Sequence, residues 1–226
     1  MASKYDLSVI MPCLNEENTV GDCIDEANDF IKRAGLKAEI IVVDNNSTDK
    51  SADIAKKKGA KVIKESKKGY GCALRAGIEA AQGEVIIMGD CDMTYDFANL
   101  DEMYEALQKY DMVIGDRFKG GMEKGAMPWS HNVGMRGLSE VGRIRYGTKV
   151  HDFQCGIRGV RRSALSKMKL SATGMEFATE IIAEAKRKDL EIGQIPVPLR
   201  KREEGKKTAL TSLKGGFRHL WFIIFK

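Results

Sequence analysis

Apolar residues fall along the first half of the chain in short runs, separated by stretches with the apolar spacing of helices. Leu7–Pro12, Glu39–Asp44, Ala60–Ile63, Glu84–Asp90 and Met112–Asp116 are rich in Val and Ile and predict strands. Between them, Glu16–Ala34, Thr48–Lys58, Tyr70–Ala81 and Ala98–Tyr110 predict amphipathic helices. Strands alternating with helices of this length imply a parallel sheet built from βαβ units. The second half is less regular. Gly120, Gly121 and Gly125 predict a mobile linker, then a helix follows over Trp129–Tyr146. A strand is expected over His151–Val160, a helix over Gly174–Asp189, and a strand over Gly193–Leu199 punctuated by Pro196 and Pro198. No repeat or low-complexity block interrupts the pattern, so a single α/β domain is expected.

Composition changes this picture in one place. The net charge of +5 is concentrated at the end of the chain, where Arg200–Lys226 holds eight Lys or Arg and two Glu and so carries +6. A nearly neutral globule with a basic tail suits an anionic surface better than a duplex groove, and no nucleic-acid partner is expected. Cys13, Cys23, Cys72, Cys91 and Cys155 are odd in number and form no CxxC pair. They are neither a disulfide framework nor a zinc site, and a reducing compartment is expected. Met1–Asp6 lacks the apolar core of a secretion signal. No run approaches the roughly 20 apolar residues that span a bilayer, Leu220–Phe225 included.

Candidate chemistry gathers at the predicted strand ends. Parallel sheets bind ligands in the crevice beyond the carboxyl ends of their strands, and three such ends are acidic or polar: Asn15-Glu16-Glu17, Asp44-Asn45-Asn46 and Asp90-Cys91-Asp92. Asp90 and Asp92, one residue apart, could jointly hold a hard divalent cation that bridges a diphosphate. An isolated Asp-x-Asp is more often a solvated turn; placement in this series favours the cation. Asp44 could accept from a base or ribose, while Ser47 or Thr48 caps the next helix. Lys67-Lys68-Gly69-Tyr70-Gly71 offers close backbone approach and helix N-terminal amides to a phosphate. Arg117 could clamp a phosphate or form a surface ion pair with Asp116 or Glu123. Asp152 is a better candidate than His151 to face an acceptor or metal.

Taken in order, these segments resemble the family 2 glycosyltransferases of the GT-A fold, in particular the dolichyl- and undecaprenyl-phosphate hexose synthases. The resemblance rests on Ser8-Val9-Ile10-Met11-Pro12 with Asn15-Glu16-Glu17, Ile41-Val42-Val43-Asp44 with Ser47 and Asp49, and Gly69-Tyr70-Gly71 with Arg75-Ala76-Gly77. It continues through Ile87-Met88-Gly89-Asp90-Cys91-Asp92, Gly115-Asp116-Arg117, Asp152 with Gly156 and Arg158, and Arg200 and Arg202 with Gly205-Lys206. It implies a Rossmann-like, mainly parallel sheet flanked by helices, and Mg2+ or Mn2+ on Asp90 and Asp92. The donor-binding set it implies is Pro12, Leu14, Asn15, Glu16, Asp44, Asn46, Lys68, Gly69, Asp90, Cys91, Arg202 and Lys206, with Arg202 and Lys206 closing from a flexible loop. Asp92, Asp152 and Arg117 are the implied catalytic residues, Arg117 meeting the acceptor phosphate. Met93 and Thr94 depart from the Asp or Gln that members often carry there, and the closing loop is one residue off the usual spacing.

The expected reaction is inverting transfer of a hexose from a nucleotide diphosphate sugar, best matched by UDP-glucose, to a polyprenyl phosphate. A phosphate monoester has its second pKa near ~6, so this acceptor needs positioning and charge neutralisation more than a strong base. If a base contributes, Asp152 is the candidate. Residues 1–208 are expected to form the catalytic domain and 209–226 an amphipathic juxtamembrane helix, with continuation into a membrane region left open. Leu210, Leu213, Phe217, Leu220 and Ile224 would lie on one side, beside Lys214 and Arg218. The expected location is the cytoplasmic face of an anionic membrane surface. Competing readings are a GDP-mannose-using enzyme, a transferase acting on a soluble glycan or protein, a sugar nucleotidyltransferase, and a non-enzymatic membrane-binding module.

Overall fold

The computed structural model describes residues 3–202 and 219–224. Seven strands form one sheet in the order β3-β2-β1-β4-β6-β5-β7. They are β1 (Tyr5–Cys13), β2 (Ala38–Asp44), β3 (Lys61–Lys64), β4 (Gly83–Met88), β5 (Met112–Asp116), β6 (Arg158–Arg161) and β7 (Ile192–Pro196). Only β6 runs antiparallel, against β4 on one side and β5 on the other. The apolar runs have a simple cause. Consecutive residues Val9–Met11 of β1, Ile41–Val43 of β2 and Ile86–Met88 of β4 are all fully buried, so both faces of the central strands are covered.

Helices α1 (Val20–Ala34), α2 (Ser51–Lys57), α3 (Tyr70–Ala80) and α4 (Asp101–Ala106) connect the first strands. The order reverses between β1 and β4: successive strands first step outward to β3, then the chain returns to the other side of β1. A reversal of this kind opens a crevice at the carboxyl ends of the two strands. Register sets its floor, since Ile10 lies opposite Met88 and Cys13 opposite Asp44. Helix α1 begins four residues later than its periodicity predicts. The amide of Glu16 donates to Ser51 Oγ at 2.8 Å and Thr19 Oγ1 donates to the Cys91 carbonyl at 2.8 Å. Those bonds tie residues 16–19 to the start of α2 and to the segment after β4, and a turn closed by the Thr19 and Val20 amides on the Glu16 carbonyl leads into the helix.

Two expectations for the second half are corrected. Residues 151–157 are not strand. Their amides bond to side chains: His151 N–H to Gln194 Oε1, Phe153 N–H to Ser139 Oγ, Gln154 N–H to Asp152 Oδ1 and Gly156 N–H to Tyr95 Oη. The ladder forms only at β6. Nor is the glycine-rich stretch a loose linker. Helix α5 (Arg117–Gly120) packs so closely on Val197 that a Cβ at Gly120 would sit 2.1 Å from its carbonyl oxygen. Beyond it, Met122 bridges Leu199.

Helices α6 (Trp129–Tyr146), α7 (Arg162–Leu165) and α8 (Phe177–Arg187) complete the fold. A final helical turn at 219–224 is docked on the domain: His219, Phe222 and Ile223 are buried, and the Tyr146 hydroxyl donates to the Ile223 carbonyl at 3.4 Å. Of the juxtamembrane helix expected over 209–226, residues 219–224 are described and are attached to the domain; 203–218 lie outside the described residues. No helix among the described residues is long and apolar enough to cross a membrane.

The Gly120 contact is testable. Gly120→Ala should lower unfolding free energy by about 1–3 kcal/mol in urea titrations, because the added methyl meets backbone that cannot rotate away. A midpoint equal to the parent's would show that this segment is as loose as its glycines suggest.

Candidate active site

The carboxyl ends of β1, β2 and β4 bring Glu16, Asp44, Asp90 and Asp92 to one crevice at the point where strand order reverses. Asp44 is buried, and its Oδ1 accepts from the Ser47 amide at 3.0 Å. Asp92 accepts the Thr94 amide at Oδ1, 3.1 Å away, and the Thr94 hydroxyl there as well. Thr94, one of the departures from the family pattern, therefore orients an acidic side chain. Asp90 packs against Gly156 and accepts a hydrogen bond from Tyr70. Burial first, then the charge of Asp92, push its carboxyl up to about 6, against the opposing influence of Tyr70, Arg158 and Arg117.

Positive charge reaches the crevice from the far end of the chain. After β7, the Arg200 amide bonds to the Thr94 carbonyl at 3.0 Å. Its guanidinium pairs with Glu26 at 2.6 Å and Asp96 at 2.7 Å. This clasp delivers Arg202, whose Nη2 lies 2.6 Å from Glu16 Oε1 and whose Nε lies 3.3 Å from Asp92 Oδ2. Arg202 thus links two of the expected donor-site carboxylates. Lys206, expected to act with it, lies outside the described residues.

On the other side of the crevice, Arg117 and Asp152 form a buried pair. Arg117 Nε donates to Asp152 Oδ2 at 2.6 Å and Nη2 donates to Oδ1 at 2.8 Å. The Arg117 and Gln154 amides add bonds of 3.3 and 3.2 Å. Four donors fill the roughly four lone-pair sites of a carboxylate. Asp152, expected as a base, is instead committed to holding Arg117. The anticipated surface pair with Asp116 or Glu123 does not form. Asp116 caps α5 through the amides of Phe118 and Lys119, and its other oxygen meets His151 Nδ1 at 3.0 Å. Among the described residues, Arg117 Nη1 donates no hydrogen bond, unlike Nε and Nη2.

Other expected ligands serve the walls. Asn15 Oδ1 accepts the Thr48 amide at 2.8 Å, and Asn46 Nδ2 donates to the Glu65 and Ser66 carbonyls. Cys91 is buried with its thiol directed at the Pro12 carbonyl, 3.2 Å away. Lys68 is exposed, Pro12 half-buried and Leu14 exposed at the rim. The phosphate cradle expected at Gly69 is otherwise used: its amide donates to Asn45 Oδ1 at 2.8 Å, and the Cys72 amide donates to the Thr173 carbonyl at 3.2 Å. With φ of +142° and a would-be Cβ 2.1 Å from the Thr173 oxygen, Gly69 is needed for this packing. Tyr70, Tyr95 and His131 were not expected at the site. Tyr70 stood between the two glycines that drew notice, whereas Tyr95 and His131 carry no local signal.

The donor set fits a divalent cation. Two neighbouring carboxylates, one raised by the other's charge, are a pair that a cation relieves. Among the described residues no group of three or more His, Cys, Asp or Glu forms a metal site. Mg2+-type sites use one or two carboxylates and complete themselves with substrate phosphates and water. Asp90 and Asp92 suit that arrangement.

This architecture is that of the GT-A fold. The chain superposes with a TM-score of 0.77 on glucosyl-3-phosphoglycerate synthase from Mycobacterium tuberculosis in complex with Mn2+, UDP-glucose and phosphoglyceric acid, at 19% identity, covering 98% of this chain and 79% of that one. Residues 8–169 match the model of glycosyl transferase family 2, and the chain belongs to that family. It is 32% identical to a dolichyl-phosphate hexose transferase of Haloferax volcanii, over 93% of this chain and 89% of that protein. It is 39% identical to the low-salt glycan biosynthesis hexosyltransferase Agl6 of the same organism, over 96% of this chain. The chain spans 53% of Agl6, about half its length.

Asp152→Asn should cost about 3–5 kcal/mol of stability, since an amide nitrogen facing Arg117 leaves a buried charge uncompensated. Urea unfolding at neutral pH reads this out, and a change below about 1 kcal/mol would contradict a closed pair.

Proposed function

We propose that the protein transfers a hexose from a nucleotide diphosphate sugar, UDP-glucose by preference, to the phosphate of a polyprenyl lipid at a membrane surface, with inversion at the sugar. The observation that carries the proposal is the meeting of Glu16, Asp92 and Arg202 in a crevice whose other wall holds Arg117 fixed by Asp152. The first group suits a diphosphate with its cation, the second a phosphate acceptor. The name of the Haloferax dolichyl-phosphate hexose transferase supports a lipid-phosphate acceptor, and the UDP-glucose complex of the structural neighbour supports the donor.

Asp90 and Asp92 would hold Mg2+ or Mn2+, which neutralises charge on the departing nucleoside diphosphate. Arg117 does its part through position. Two of its nitrogens are fixed on Asp152, so Nη1 faces a ligand without the entropy loss of a free side chain. With Asp152 so engaged, the acceptor must attack as the anion it already is near neutral pH. A lipid phosphate meets that condition, whereas a sugar hydroxyl would need a free base.

The test is transfer of labelled hexose from UDP-glucose, with GDP-mannose in parallel, to a polyprenyl phosphate in the presence of Mn2+. Label should pass into the organic phase, and Asp92→Asn should reduce the rate by about a hundredfold or more. Label that stays in the aqueous phase on a small phosphorylated acceptor would favour a soluble substrate like that of the structural neighbour. Release of inorganic pyrophosphate instead of nucleoside diphosphate would exclude glycosyl transfer.

A further inference from the structure

Of the eight large apolar side chains that stand exposed among the described residues, four lie on α6 and two on the turn at 219–224. Helix α6 is apolar on two sides. Its inner face buries Met135, Ser139 and Gly142. At about 100° per residue, Trp129, Val133, Val141 and Ile144 fall within an arc of about 120° on the opposite side. Trp129 is 81% exposed and Ile144 77%. The stripe runs about 22 Å along the helix. Arg136 and Arg143 flank it on one side and Arg145 on the other; Glu140, the sole acidic residue of the helix, lies within the arc and pairs with Arg143 at 2.7 Å, so the three arginines leave a net charge of +2. Both tryptophans of the chain are turned outward, since Trp221 is 56% exposed on the terminal turn whose Ile223 is bonded to Tyr146 of α6.

We propose that the outward face of α6 is a docking surface for an anionic lipid bilayer, and that it sets the depth at which a lipid phosphate meets the active site. An exposed apolar stripe edged by arginines, with a tryptophan at its start, matches the apolar–basic layering of a bilayer interface. Charge separates this occupant from a second copy of the chain. Two such faces would bring arginine flanks together, whereas anionic headgroups neutralise them. The surface is continuous with the site. Arg136 of α6 stacks over Phe118, next to Arg117, at 4.2 Å from the ring centroid. Burial, together with the charge of Arg117, lowers the pKa of His131 in the first turn. The helix that would rest on the headgroups therefore begins beside the arginine assigned to the acceptor. The second half of the proposal rests on the lipid-phosphate reading above; the docking surface does not.

The experiment is flotation of the full chain with phosphatidylcholine vesicles, with and without phosphatidylglycerol. The variant Trp129→Ser/Val133→Ser/Ile144→Ser changes only exposed side chains and should melt like the parent. It should bind phosphatidylglycerol vesicles about tenfold more weakly. Arg143→Gln/Arg145→Gln should lose binding to phosphatidylglycerol vesicles, while its residual binding to phosphatidylcholine matches the parent's. Transfer to a short, water-soluble polyprenyl phosphate should be unchanged in both variants. Flotation of the serine variant at the parent's level would overturn the docking surface. So would a parent dimer in light scattering that the serine changes convert to monomer. Neither result bears on the reaction, whose own failure would show as no transfer by the parent to any polyprenyl phosphate, whatever the flotation result.

Discussion

Negative charge at the carboxyl edge of the sheet is the constraint around which the molecule is arranged. Parallel strands β1, β2 and β4 all end at that edge, and Glu16, Asp44, Asp90 and Asp92 follow them there. Burying like charges together is unfavourable, and the carboxyl of Asp90 is raised by its burial first and by the charge of Asp92 second. The fold answers with arginines drawn from distant parts of the chain. Arg202 crosses from beyond β7 to Glu16 and Asp92, and its route is held by the Arg200 clasp on Glu26 and Asp96. At Asp90 the opposing positive charges are Arg158, fully buried, and then Arg117.

The two cationic groups differ in how firmly they are held, and the difference suits their proposed roles. Arg117 is locked by three hydrogen bonds to one buried carboxylate, its own amide included, and the Gln154 amide holds that carboxylate in turn. Such a group presents a fixed direction to a phosphate. Arg202 instead bridges two carboxylates that a diphosphate and its cation would also engage, so its contacts are the ones exchanged on donor binding.

The sheet was legible in the sequence because its central strands are buried on both faces, which leaves runs such as Ile40–Val43 with no polar interruption. Acidic strand ends were legible for the same reason: they follow the runs immediately. Residues 151–157 were misread as strand because their amides bond to side chains from far along the chain, including Tyr95, Ser139 and Gln194. Local pattern carries no trace of that. The pairing of Arg117 with Asp152, 35 residues apart, was invisible likewise, and it turned an expected base into a positioning group. Gly120 drew attention as part of a mobile linker and Gly69 as a close approach for phosphate, yet the structure uses both for close packing against protein backbone. The outward stripe of α6 was hidden within an ordinary helical period, because a count of apolar spacing does not say which face meets the core.

Cation binding tests the charge balance at the crevice most directly. With only Asp90 and Asp92 as protein ligands, Mn2+ should bind weakly alone and at least about tenfold more tightly when a nucleoside diphosphate is present. Reciprocally, Mn2+ should tighten the nucleotide by the same factor. Titration calorimetry of the full chain, with Mn2+ alone, UDP alone and both together, measures this coupling. Asp92→Asn should abolish it. Equal Mn2+ affinity with and without UDP, or coupling that survives in Asp92→Asn, would contradict the assignment of the carboxylate pair.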